Sequence, residues 1–272
     1  LQDMRQRHIV LLCMTVFSVI LSGTAVRAQS ESGADLDALG VKLSEYLSAI
    51  ERESAGMKCA EADFLIGSCA DSAVRRFTAN EVYGHYFRSG IMGDDAVAIH
   101  VFDEWFLSGK VKMNSDADFF AARIFADFNR QSLIGCRAPT LTMRDTSGVY
   151  VEVFGESGTE HGKDGTKPAK TSVLYFYDTG CSTCRADAAA LRGFLPEKDY
   201  PIVFYAIYTG SDYGKWKEYA AAELDFGTEN TEVVHLWDPE ISSDYQLKYG
   251  VLTTPRIFVT DPSGVIVGRG LD

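Results

Sequence analysis

One run of residues limits what this chain can fold into more than any other: Tyr175-Phe176-Tyr177-Asp178-Thr179-Gly180-Cys181-Ser182-Thr183-Cys184-Arg185. An apolar, aromatic segment of strand character reaches a glycine turn and delivers two cysteines to the start of a helical stretch, Cys184 to Leu195. A thiol in the first turn of a helix meets unpaired backbone N–H groups and the positive end of the helix dipole, which favour thiolate. Cys181 is therefore the expected nucleophile. Cys184, one turn on, is within bridging distance and is the expected resolving thiol. Zinc would need two more ligands at comparable spacing, and His8, His85, His100, His161, His235 and the other cysteines supply no second pair, so no metal and no cofactor is expected. A purely structural bridge would close too small a loop to stabilise much. Peroxidase chemistry at Cys181 would want a Pro and Thr arranged upstream, an arrangement that Asp178-Thr179-Gly180 does not supply.

The surrounding rhythm is α/β. Strand-like runs at Ser172 to Tyr177, Ile202 to Tyr208, Val233 to Trp237 and Arg256 to Thr260 alternate with helical stretches at Cys184 to Leu195, Tyr213 to Leu224 and Ile241 to Tyr249. Val149, Val151 and Val153 form a short alternating strand ahead of a polar loop, Gly155 to Lys170, and Asp261-Pro262-Ser263-Gly264 turns into a last strand, Val265 to Gly268. Thr253-Thr254-Pro255 opens the strand at Arg256. From Ala34 to about Leu133 the apolar spacing is helical instead, with breaks expected at Gly56, Gly67-Ser68, Gly90 to Asp94 and Ser108-Gly109, and a cap at Ser115-Asp116. Ten aromatic residues there, from Tyr83 to Phe128, read as core. His85 and His100 read as surface or capping histidines.

Residues 4 to 28 carry a basic start (Arg5, Arg7), an apolar core from Ile9 to Leu21, and small or apolar residues at Val26 and Ala28, the pattern of a cleavable signal peptide. The apolar core is shorter than the ~20 residues of a spanning helix, so no membrane span is expected after cleavage. Met4 is the expected initiator, with Leu1, Gln2 and Asp3 as upstream read-through. With a formal net charge of −12 and no basic run, a nucleic-acid or anionic-lipid partner is not expected. Cleavage would leave Cys59, Cys69, Cys136, Cys181 and Cys184, an odd set that leaves one thiol unpaired within the chain. On one continuous helix Cys59 and Cys69 would stand ~15 Å apart, but Gly67 allows a turn back. A local disulfide, pairing of either with Cys136, and burial as small hydrophobes all stay open.

Together, Cys181 to Cys184, Thr254-Pro255, Tyr249-Gly250-Val251, Asp261-Pro262-Ser263-Gly264 and the lead-in Gly135-Cys136-Arg137-Ala138-Pro139 resemble the TlpA/ResA-like branch of thioredoxin-fold thiol–disulfide oxidoreductases of the bacterial cell envelope. The resemblance covers residues 135 to 272. It implies an α/β thioredoxin-like fold, a central mixed sheet flanked by helices, and the helical spacing ahead of it gives a preceding all-α domain. The expected division is 1–28 signal peptide, 31–133 helical domain and 135–272 thioredoxin-like domain. It also implies that Pro255 is cis and faces the dithiol, that Thr254-Pro255 docks substrate backbone, and that Asp187, three residues after Cys184, stands where relatives often carry a glutamate that manages the dithiol protons. Gly180 replaces a Trp common in relatives, which removes an apolar contact surface beside Cys181 and bears on substrate binding. The branch's final helix has no counterpart after Gly270, and a truncated C-terminus is expected. The implied activity is disulfide exchange with envelope client proteins in the periplasm, more readily as a reductant, with a membrane-anchored thiol donor to re-reduce the pair. A thioredoxin-fold scaffold that binds partners without catalysis is the alternative.

Overall fold

A computed structural model describes residues 31 to 155 and 170 to 271, with side chains from residue 35 onward in the first helix. The signal-peptide segment lies outside the described residues, as does most of the polar loop at 156 to 169. By contact the chain divides into two compact units, residues 1–126 and 127–272.

The first unit is helical: α1 (Glu31–Ala49), α2 (Ala55–Gly67), α3 (Ser72–Phe87), α4 (Asp94–Val101), a π-helical turn (Phe102–Leu107) and most of α5 (Asp116–Asn129). Leu39, Leu43, Tyr46, Leu47 and Ile50 recur at helical spacing along and just after α1 and are all buried. Side chains fix the helix starts: Ser54 accepts from Met57 N at 3.3 Å and Asp71 from Ala73 N and Val74 N at 2.8 and 3.0 Å. The Ser54 cap places the first break at Glu51 to Ser54 rather than at Gly56, which lies inside α2. Ser115 caps α5 as expected, accepting from Asp118 N at 3.1 Å. Lys58 and Asp94 form a buried ion pair at 2.5 Å, and Ser89 Oγ donates to the second Asp94 oxygen at 2.7 Å. The satisfied lone pairs make this burial tolerable. His100 does not cap: its Nε2 is 2.9 Å from Asp63 Oδ2, while Trp105 Nε1 donates to Asp63 Oδ1 at 2.8 Å. His85 packs edge-on against Tyr86 and is half-buried.

The second unit contains a seven-stranded sheet built from β1 (Leu141–Arg144), β2 (Tyr150–Val153), β3 (Thr171–Tyr177), β4 (Ile202–Tyr208), β5 (Thr231–Trp237), β6 (Arg256–Thr260) and β7 (Ile266–Arg269). The strand order is β2-β1-β5-β4-β3-β6-β7. The central β3, β4 and β5 run parallel, and β6, β7, β1 and β2 add antiparallel edges. Helices α6 (Ser182–Phe194) and α7 (Tyr213–Glu223) connect the parallel strands, and a short α8 (Tyr245–Tyr249) precedes β6. Every residue of β4 is buried, as a strand covered on both faces requires. One face packs Leu174, Phe176, Val203, Tyr205, Leu236 and Phe258; the other packs Val173, Tyr175, Tyr177, Phe204, Tyr208 and Trp216, together with Cys184. The alternation along β3 is the period of two that puts neighbours on opposite faces.

Residues 127–132 belong to this unit for a visible reason. The Arg269 guanidinium donates to Asn129 Oδ1 at 2.6 Å and to the Ser132 carbonyl at 3.1 Å, tying the end of α5 to β7. The helix expected from Ile241 starts only at Tyr245. Asp238 accepts from Ser242 N and Ser243 N at 3.1 and 2.7 Å, and Ile241 and Asp244 take left-handed backbone (φ 55° and 57°), so 238 to 244 is a turn. Among the described residues no helix is long and apolar enough to cross a membrane.

Candidate redox site

The parallel centre of the sheet presents the carboxyl end of β3 at the mouth of the fold, where open α/β sheets place their ligands. The turn after β3 is built by Asp178. Its Oδ1 accepts from Gly180 N at 2.7 Å and its carbonyl accepts from Cys181 N at 3.2 Å. Cys181 is the N-cap of α6, in extended backbone (φ −82°, ψ 119°), and its Sγ accepts from Cys184 N at 3.1 Å. The sulfur thus occupies the place an aspartate or serine oxygen usually takes at a helix start.

Cys181 and Cys184 are joined by a disulfide across a Cα–Cα distance of 5.2 Å. Their exposures differ sharply: Cys181 is part-exposed and Cys184 fully buried. Across from them the Thr254–Pro255 peptide is cis, Pro255 is buried, and the Thr254 carbonyl oxygen stands 3.5 Å from Cys181 Sγ. Cys181, Cys184, Thr254, Pro255 and the exposed Gly180 therefore come together at one site. Asp187 lies one turn beyond Cys184 on α6, half-buried. Burial foremost, then Tyr219, then the Asp187 charge hold the Tyr175 phenol well above the ordinary tyrosine range. The Tyr175 hydroxyl donates to the Cys184 carbonyl at 2.5 Å, fastening the first turn of α6 to the strand.

Several residues of the site had not been singled out from the sequence. Thr209, just past β4, donates to the Tyr177 carbonyl from both its N–H and its hydroxyl, at 2.9 and 3.0 Å. Gly210 follows, its carbonyl accepting from Trp237 Nε1 at 2.8 Å. A Cβ on Gly210 would run into the Tyr208 ring and hydroxyl and stand 2.7 Å from Asp178 Oδ2. Asp178 two residues before Gly180 is an Asx-turn signal readable in the sequence; its meeting with the β4 loop is not.

The other described cysteines, Cys59, Cys69 and Cys136, are unbonded. Burial, reinforced by Asp63, pushes the Cys59 thiol up to about 11. Cys69 is fully buried, with Sγ 3.3 Å from the Leu65 carbonyl oxygen, and burial raises it too. Of the alternatives open for these two, burial as a small hydrophobe is observed for Cys69, whereas Cys59 is half-buried and unbonded. Cys136 is half-buried where the lead-in segment pairs with β7, Ile266 N donating to its carbonyl at 2.9 Å.

A thioredoxin-like protein from Bacteroides caccae superposes with a TM-score of 0.60 over 87% of this chain and 80% of that one, at 12% identity. A domain of a possible thiol-disulfide isomerase from Cytophaga hutchinsonii aligns at TM-score 0.41 with 24% identity, over 52% of this chain and 86% of its own. The thioredoxin domain of a thiol-disulfide oxidoreductase from Bacteroides vulgatus aligns at 0.40 with 23% identity, over 51% and 88%. At those two scores the likeness bears no weight, and the first superposition speaks to fold alone. No protein-family model and no curated protein matches the chain. With its mixed seven-stranded sheet, flanking helices and preceding helical region, the chain has a thioredoxin-like fold.

Proposed function

We propose that this chain is an exported thiol–disulfide oxidoreductase of the TlpA/ResA type that reduces disulfides of client proteins in the bacterial periplasm. The observation that carries the reading is the asymmetry of the disulfide. One sulfur is part-exposed at a helix N-terminus beneath the cis-proline loop, and the other is sealed beneath it. In the reduced protein, the Cys181 thiolate attacks a client disulfide, its sulfur bonds to one client sulfur, and the other leaves as thiolate. Cys184, once deprotonated, attacks Cys181, re-forming the Cys181–Cys184 bridge and releasing the second client thiolate. Two electrons pass from the pair to the client. Asp187 is the group proposed to take the Cys184 proton, and Thr254-Pro255 with Gly180 form the surface on which client backbone lies. A membrane-anchored dithiol donor completes the cycle, and the signal-peptide pattern of residues 4 to 28 supports export.

The test is a trap. Reduced Cys184→Ser protein presented with a disulfide-bonded client should accumulate a mixed disulfide through Cys181, seen on a non-reducing gel and absent from the Cys181→Ser/Cys184→Ser variant. No adduct, or one formed equally well by the double variant, would overturn the proposal and leave the scaffold reading.

A further inference from the structure

Two clefts are lined by residues adjoining Cys181. The larger, about 650 Å³, opens between the start of α6 and α7 and includes Gly180, the residue directly before the nucleophile. The smaller, about 250 Å³, lies on the side of Thr254, whose carbonyl oxygen stands 3.5 Å from Cys181 Sγ, and includes Tyr245 and the exposed Leu252. Asp178 lines both. Its place is fixed on two sides: Oδ1 is held by Gly180 N, and Oδ2 sits against Gly210, which Trp237 anchors.

The charges facing these clefts are unequal. The larger is lined by Asp178, Asp212, Glu218 and Glu223 against Arg185 and Lys215. Lys215 pairs with Asp212 at 3.6 Å, whereas Arg185 donates to the neutral Thr179 carbonyl at 3.2 Å and keeps its charge. Glu223 pairs with Arg192 at 3.0 Å. Outside those salt bridges, among the described residues, the lining keeps two carboxylates, Asp178 and Glu218, against one cation, Arg185, a net excess of one negative charge. In the smaller cleft Asp178 supplies the one charged side chain of the lining. A client segment laid across Cys181 thus meets a net negative charge on either hand, with Asp178 common to both clefts.

We infer that Asp178, supported by Glu218, is a specificity-determining residue that selects clients whose reactive cysteine is neighboured by a lysine or arginine side chain. This rests on the disulfide-exchange reading and deepens it. A cleft of this size accepts a long basic side chain with part of its backbone. The acidic balance of the whole chain adds long-range attraction for basic clients, which acts on encounter more than on residence. Asp178 keeps its second duty, shaping the Cys181 turn, so its replacement must preserve the Oδ1 acceptor. Asp178→Asn does so.

The experiment uses the full reduced chain and three symmetric disulfides: dicationic cystamine, neutral 2-hydroxyethyl disulfide and dianionic dithiodiglycolate. Second-order rate constants for oxidation of Cys181–Cys184 are measured at low ionic strength, and selectivity is the cystamine-to-dithiodiglycolate ratio. Intrinsic differences between the disulfides cancel when that ratio is compared between variants. Asp178→Asn should lower it about three- to fivefold, the scale of one part-exposed charge pair. Glu218→Gln, at an exposed position of α7, should lower it by a smaller factor without touching the turn. An unchanged ratio in both variants would overturn the inference while exchange itself persists. Failure of the parent to react with any of the three would instead overturn the disulfide-exchange reading beneath it.

Discussion

The two units of this chain use the same side chain to opposite ends. In the helical unit Cys59 stands in the middle of α2 and Cys69 just past its end, both unbonded, with their thiols pushed up by burial. In the second unit Cys181 caps a helix, with a backbone N–H directed at its sulfur and a partner one turn away. The backbone the sulfurs meet differs: Cys59 lies within a helix, where no N–H is free, whereas Cys181 stands at a helix start, which offers several. Sequence distance to a second cysteine matters only once that placement is set.

The contrast can be broken most severely at the nucleophile. Cys181→Ser should lower the rate of disulfide exchange on the order of 10³-fold or more, as removal of an attacking group does. Cys59→Ser should leave that rate within about twofold, since Cys59 lies in the helical unit. Loss of exchange in the Cys59 variant would dissolve the distinction.

A gentler test reads all the thiols at once. With a pKa of about 11, Cys59 holds about one thousandth of its population as thiolate at pH 8. In the reduced, folded protein, iodoacetamide should label Cys181 first and Cys59 roughly two orders of magnitude more slowly, followed by peptide mass spectrometry. Comparable labelling of the two would contradict the account.

The units also differ in what they bury. The helical unit seals the ion pair Lys58–Asp94, whereas the face of the sheet beneath the disulfide is packed with Tyr175, Tyr177, Tyr208 and Trp216. Lys58→Met strands the Asp94 carboxylate and should cost about 3 kcal/mol in a denaturation experiment. A loss below about 1 kcal/mol would mean that Asp94 finds compensation elsewhere.

The smallest expected effect concerns pH. Burial, opposed by Asp225, lowers the His235 pKa on β5 from 6.5, and its Nδ1 has no hydrogen-bond partner among the described residues. The unfolded chain therefore binds more protons than the folded one once pH drops past 6.5, and stability falls until the folded imidazole is itself protonated. His85 in the helical unit is lowered in the same direction, mainly by burial. Melting temperatures compared between pH 7.5 and 5.5 should fall less in His235→Asn than in the parent. An equal fall would assign the loss to other groups, His85 among them.

Much of the sheet was legible because these strands are apolar: β3, β4 and β6 fall on or within one residue of the runs marked by Tyr175, Phe204 and Phe258. The four-residue β1 escaped notice because Leu141 and Met143 alternate with Thr142 and Arg144 for only two periods. The helix expected from Ile241 lost its first turn to the Asp238 carboxylate, a side-chain competitor that periodicity does not register. At the site, Cys181, Cys184 and Gly180 were legible because they adjoin in sequence, and Thr254-Pro255 because proline marks its own turn. That Asp178 also meets Gly210, itself bonded to Trp237, was not legible, because only the parallel pairing of β3, β4 and β5 brings those residues beside it.

The most direct test of the central claim, that Cys181 and Cys184 form a redox-active pair working as a reductant, is its equilibrium reduction potential. The full chain is equilibrated against graded dithiothreitol or glutathione buffers and the fraction of bridged pair is read by alkylation and mass spectrometry. A value near or below about −270 mV, the range of thioredoxin, is the expected result. A value near about −120 mV, where a pair donates its disulfide rather than its electrons, would contradict it.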